Sequence, residues 1–178
     1  DERIRCPCND TVCEKLGKSY EILFVDDGSA DGSYKILRDL ANTDRRVRVV
    51  RFTRNFGQQA AVLAGFRLSR GAVVAQLDSD LQNPPEEIPK LLAALDERYD
   101  LVTTVPKKRQ DDFWRVAGSG FLKWLGQRCL GKSFRLNLSS FRAMRRSVIE
   151  KIDACSDRSR YMAVLVSWMA VPSLEIEV

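Results

Sequence analysis

The 178-residue sequence contains no histidine. That removes the commonest general base and every Ser-His or Cys-His nucleophile scheme. It also has no spaced-glycine Gly-x-Gly-x-x-Gly turn and no phosphate-binding P-loop, which excludes the usual dinucleotide and P-loop triphosphate sites. Cysteine is scarce and irregular: Cys6, Cys8, Cys13, Cys129 and Cys155. Without histidine, a zinc site on the first three would need a distant fourth cysteine. Reduced thiols in a cytosolic setting are the simpler reading. No apolar run reaches the roughly 20 residues that cross a bilayer. The opening Asp1–Cys6 lacks the apolar core of a signal peptide.

The bulk of the chain is ordinary globular material, 44% hydrophobic and 30% charged, enough to bury a core in a single domain. The net charge of +5 is unevenly placed. Between Val105 and Glu150, eleven Lys or Arg face three acids, so the remainder is mildly acidic. Such a segment suits an anionic partner, although a solvated basic face reads the same way.

Strand and helix patterns alternate. Apolar runs at Tyr20–Val25, Val47–Phe52, Ala72–Leu77 and Asp100–Val105 predict strands, with Ala72–Leu77 buried on both faces. Helices are predicted from Asp31, as cap, to Leu40, over Gly57–Ser69, and from Glu86 to Leu95 behind Pro84-Pro85. Further helices are expected over Asp111–Leu130, Ser147–Asp153 and Tyr161–Ala170, then a strand from Ser173 to Val178. Repeated βα units imply an α/β fold with a mainly parallel sheet flanked by helices. No strand pattern occurs in Asp1–Ser19, so the fold lacks its opening strand.

Three stretches carry chemistry. In Leu77-Asp78-Ser79-Asp80-Leu81-Gln82, two carboxylates follow a strand, where open α/β sheets bind ligands. A carboxylate pair there calls for a hard cation, Mg²⁺ or Mn²⁺, shared with substrate phosphates. A plain turn with Asp80 capping the next helix is the alternative. Val25-Asp26-Asp27-Gly28-Ser29 also ends a strand; its carboxylates suit N–H donors of a base or ribose hydroxyls, and an Asp-Gly turn is the alternative. In Arg54-Asn55-Phe56-Gly57, Arg54 suits a phosphate, and Asn55 suits a helix cap. The basic stretch holds Lys107, Lys108, Arg109, Arg115, Lys123, Arg128, Lys132, Arg135, Arg142, Arg145 and Arg146. With Phe113, Trp114, Phe121 and Trp124 it fits an anionic membrane surface, or an inward-packed core helix. No recognition motif supports nucleic acid.

Together these stretches resemble the family 2 glycosyltransferases that use polyprenyl phosphates, such as undecaprenyl-phosphate 4-deoxy-4-formamido-L-arabinose transferases and dolichol-phosphate mannose synthases. The likeness runs from about Thr11 to Val178, through Leu16–Ser29, Arg54–Gln58, Leu63–Phe66, Leu77–Pro89, Lys108–Asp111 and Ser140–Ala143. It implies a GT-A fold for a single catalytic domain, 1–178, cut short at both ends. It implies a nucleotide-diphosphate sugar, with a uridine base, as donor and a polyprenyl (undecaprenyl) phosphate as acceptor. Donor binding falls on Asp26, Asp27, Asp78 and Ser79, metal binding of Mg²⁺ or Mn²⁺ on Asp78, Asp80 and Gln82, and catalysis on Asp80 and Arg142. The resemblance further implies work at the cytoplasmic face of the plasma membrane, by a segment itself soluble or peripheral, and allows a homo-oligomer.

The sequence departs from that pattern in places. The family's opening strand, with its Pro-Val-Tyr-Asn-Glu-like end, has no counterpart. Pro106 stands where arginine is frequent, and Leu136 where an aspartate is common. The expected reaction is a single displacement with inversion. The alternatives are transfer of glucose or mannose to a polyprenyl phosphate, and a non-catalytic remnant that binds a nucleotide sugar.

Overall fold

The computed structural model describes residues 16–80, 83–95, 98–105, 139–155 and 171–177, with Val12 and Glu14. The chain forms two compact units, residues 1–74 and 75–178.

The first unit begins with β1 (Ile22–Asp26), an apolar run of β-branched and aromatic residues suited to a pleated surface. It pairs in parallel with β2 (Val47–Arg51), from Ile22 opposite Val47 to Asp26 opposite Arg51. A parallel pair needs a crossover, supplied here by α1 (Ser33–Thr43). Asp31 accepts the Ser33 N–H at 3.0 Å, the expected start-of-helix contact. Gly32 occupies the cap position itself in the left-handed region, φ 87°. Helix α1 runs three residues past Leu40 and closes where the Thr43 hydroxyl donates to the Leu40 carbonyl. Helix α2 (Gln58–Leu68) then packs on β1 and buries Phe66.

The remaining strands form a four-stranded sheet. They are β3 (Val73–Gln76), β4 (Leu101–Val105), β5 (Arg142–Arg145) and β6 (Ser173–Glu177), in the order β3-β5-β4-β6. Strand β4 pairs in parallel with β6 and antiparallel with β5, Leu101 opposite Met144 and Thr103 opposite Arg142. With a neighbour on each side, β4 is buried from Leu101 to Thr104. A 3₁₀ turn at Pro85–Glu87 leads into α3 (Ile88–Ala94), which packs on β4 and β5 through Ile88 and Leu91. Helix α4 (Arg146–Ala154) buries Val148, Ile149 and Ile152, a one-three-four spacing that makes a single apolar face. The core they close on contains Leu91, Leu101, Val102, Phe141 and Met144, all fully buried. Each such side chain contributes roughly 1.5–3 kcal/mol relative to exposure.

Two expectations are corrected. Strand β3 is not buried on both faces: residues 73 and 75 are exposed, and 74 and 76 half-buried. It ends the strand order, and composition does not report whether a flank is covered. Strand β5 was not anticipated at all, because Arg142-Ala143-Met144-Arg145 shows neither alternation nor β-branching. No strand precedes β1 among the described residues. No helix among them is long and apolar enough to cross a membrane. The helices expected over 111–130 and 161–170 lie outside the described residues, as does the basic stretch up to Arg135.

Candidate active site

Residues expected to act fall in both units. In the first, Asp26 ends β1 and is 4% exposed. Its Oδ1 accepts the Ser29 N–H at 3.1 Å. Its Oδ2 lies 3.4 Å from Arg51 Nε, an ion pair set up by the ladder register that puts Arg51 opposite Asp26. That oxygen is buried and accepts no hydrogen bond among the described residues. Arg51 lies over the Tyr34 ring, 4.3 Å from its centroid, so the guanidinium is held in place.

Asp27 spends both oxygens on backbone. Oδ1 accepts the Phe56 N–H at 2.8 Å and Oδ2 the Gly57 N–H at 2.9 Å. Helix α2 starts at Gly57, which has no side chain to cap it. A carboxylate thirty residues earlier in the chain fills that role and suits the positive helix end. Asn55 Oδ1 shares the Gly57 N–H at 3.0 Å, so the cap read at Asn55 is present too. Gly28, at φ 78°, lets the two loops touch: a Cβ there would sit 2.7 Å from the Arg54 carbonyl carbon. The Arg54 guanidinium lies 4.9 Å from the centroid of the half-exposed Phe56 ring, and Phe52 meets that ring edge-on at 5.5 Å.

In the second unit, Asp78 is half-buried just past β3, and Ser79 and Asp80 are exposed on the turn that follows. Gln82 lies outside the described residues. Arg142 opens β5 and is 4% exposed. Its Nε donates to Gln76 Oε1 at 2.8 Å. Burial pushes its guanidinium down to about 10, against the pull of the Asp78 carboxylate, so it stays protonated at neutral pH. Across the ladder, Thr103 has a buried hydroxyl with no hydrogen-bond partner among the described residues. The structure therefore places Arg142 on Gln76 and within the electrostatic reach of Asp78. Arg142, counted with the basic stretch, is interior and presents no charge to a membrane surface. Arg145 of the same stretch lies 3.5 Å from Asp100.

Gln76 and Arg51 escaped the sequence reading. Gln76 had a signal, a polar residue closing an apolar strand two places before Asp78. Arg51 had none without the register.

The donor chemistry after β3 suits a divalent metal. Mg²⁺ and Mn²⁺ take one or two carboxylates and complete their shell with water and substrate oxygens. No group of three or more His, Cys, Asp or Glu that could hold a metal gathers among the described residues.

The model of glycosyl transferase family 2 matches residues 6–153. The chain belongs to that family. It is 44% identical over 168 residues to the undecaprenyl-phosphate 4-deoxy-4-formamido-L-arabinose transferase of Edwardsiella ictaluri (strain 93-146), covering 94% of this chain and 52% of that protein. The chain spans about half the length of the curated relatives it matches. Among solved structures it is similar to the glucosyl-3-phosphoglycerate synthase of Mycobacterium tuberculosis in complex with Mn²⁺, UDP-glucose and phosphoglyceric acid. That match has TM-score 0.62 and 16% identity, over 97% of this chain and 66% of the other. It is likewise similar to a mannosyltransferase of Pyrobaculum calidifontis in complex with GDP-mannose and Mn²⁺, with TM-score 0.59 and 18% identity, over 98% of this chain and 52% of the other. The fold is thus the expected GT-A α/β arrangement, in which β1–β2 and β4–β6 pair in parallel and β4–β5 antiparallel.

Proposed function

We propose that this family 2 chain is the catalytic part of a glycosyltransferase that moves a sugar from a uridine-diphosphate donor to a polyprenyl phosphate, with inversion. What carries the reading is Asp78-Ser79-Asp80 on the turn past β3, beside the buried Arg142, in a chain 44% identical to an enzyme named for transfer to undecaprenyl phosphate. The acceptor is a phosphate monoester with a second pKa of roughly 6, already largely ionised at neutral pH. A strong general base is therefore dispensable, and Leu136 is compatible with turnover.

The harder problem is negative charge on the departing diphosphate. Mg²⁺ or Mn²⁺, bound by Asp78 and Asp80 with Gln82, supplies electrostatic stabilisation of that charge. Asp80 is exposed on that turn, where an incoming ligand can reach it, and Ser79 lies beside it for donor contact. Arg142 acts on the same charges through its electrostatic pull on Asp78. At the end of β1, Asp26 offers its buried Oδ2 as acceptor for an N–H of the donor base, and the Asp27 loop serves the same donor. The lipid acceptor places the work at a membrane, at its cytoplasmic face.

The test is calorimetric titration of the full-length protein with uridine diphosphate in Mn²⁺. Asp78→Asn and Asp80→Asn should each lower affinity at least tenfold and abolish its metal dependence. Parent-like, metal-dependent binding by both variants sinks the proposal.

A further inference from the structure

We infer that Asp27 is a positioning residue rather than a ligand, and that the Arg54 it positions binds a phosphate group. The inference deepens the donor reading above and rests on it. Of the two aspartates closing β1, only Asp26 keeps an oxygen without a hydrogen bond; both Asp27 oxygens are committed to the Phe56 and Gly57 N–H groups. Those bonds pin the backbone immediately after Arg54.

A second constraint acts on the Arg54 backbone itself. The Gly28 backbone approaches so closely that a single Cβ would overlap the Arg54 carbonyl carbon and the Asn55 nitrogen, at 2.7 and 2.9 Å. The loop is thus held at residue 54 and just after it, from a turn that follows β1 directly.

What the clamp presents is an exposed guanidinium stacked on an exposed ring. Arg54 has no carboxylate within ion-pair distance among the described residues. The Phe56 ring, braced edge-on by Phe52, covers one face of the guanidinium and leaves its N–H edge to solvent. A planar fork fixed in this way loses little freedom on binding and matches phosphate oxygens. The nearby acids do not repel an anion, because Asp26 faces Arg51 and Asp27 is satisfied by two N–H groups at a helix start. The phosphate is that of the nucleoside diphosphate or of the prenyl phosphate, and the titration separates the two.

The experiment is a double-mutant cycle on the full-length protein, titrated with uridine diphosphate, uridine, and a short-chain prenyl phosphate. The variants are Asp27→Asn, Arg54→Gln and the pair. Arg54→Gln should weaken binding of one phosphate ligand about tenfold, as loss of a charge-assisted hydrogen bond does, and leave uridine affinity and thermal stability unchanged. Asp27→Asn should weaken the same ligand, and the pair should bind no worse than Arg54→Gln alone. If the two losses add, Asp27 touches the ligand itself and the inference is overturned. It is equally overturned if Arg54→Gln binds both phosphates like the parent. Should the parent bind no uridine diphosphate, the donor reading fails separately. The bracing is then read by amide hydrogen exchange at Phe56 and Gly57: faster exchange in Asp27→Asn upholds it, and unchanged exchange overturns it.

Discussion

Replacing Arg142 by methionine should make the protein more stable while lowering its turnover. Arg142 is buried to 4% exposure and carries its charge on strand β5. Burial lowers its pKa from the usual guanidinium range to about 10 even with Asp78 pulling the other way. A downward shift for a base means the folded state disfavours the proton. The penalty is therefore fully present below the folded value, throughout the neutral range, and is relieved only as pH rises above about 10. At 1.36 kcal/mol per unit, the charge costs about 3 kcal/mol. Against this, the substitution removes the 2.8 Å bond to Gln76, a loss of about 1–2 kcal/mol. Gln76 and Asp78 are both half-buried and can rehydrate. Methionine fills most of the vacated volume and adds no polar atom.

The expected net is a gain of about 1–2 kcal/mol, seen as a urea midpoint higher by roughly half to one molar. Turnover should fall, and Mn²⁺ affinity without donor should rise, because a positive charge beside Asp78 has gone. A loss of stability beyond about 1 kcal/mol would refute the reasoning, since a removed partner that stranded a buried charge would cost about 3–5 kcal/mol.

Other expected outcomes follow from neighbouring geometry. Gly28→Ala combines a left-handed backbone, φ 78°, with a 2.7 Å overlap, and should cost about 2–4 kcal/mol by thermal unfolding. Gly32→Ala, at φ 87° with nothing within 4 Å, should cost only about 1 kcal/mol. Burial tends to raise the Glu21 pKa, but the Arg48 guanidinium and the Arg70 N–H outweigh it and hold the carboxyl below its usual 4.5. Its contribution is thus present above the ordinary value and lost as pH falls through the lower folded one. Glu21→Gln should remove about 1 kcal/mol at pH 7 and flatten the acid limb of the stability profile.

Much of this architecture was legible in advance because β1, β2 and β4 are short apolar runs bounded by turns, and α1 and α2 have start signals in Asp31 and Gly57. Strand β5 was illegible because a strand that buries an arginine between alanine and phenylalanine has no periodicity of its own; only its neighbours make it a strand. The carboxylates at 26, 27, 78 and 80 announced themselves by position after strands. What each one does was hidden, because Asp27's partners lie about thirty residues away and Arg142's partner Gln76 lies sixty-six away. Such pairings are created by the fold, not by local spacing.

The strand order has a practical consequence for anyone handling the protein. Among the described residues, β1, β2, β3 and β6 each hydrogen-bond to one neighbouring strand, and any such flank without a second neighbour is a row of backbone groups that a foreign chain can adopt. Ile22-Leu23-Phe24-Val25 contains no lysine or proline to discourage that adoption. An open flank there would draw concentrated stocks toward sheet-rich clumps, and a lysine introduced at Leu23 or Val73 would then raise the concentration at which they form.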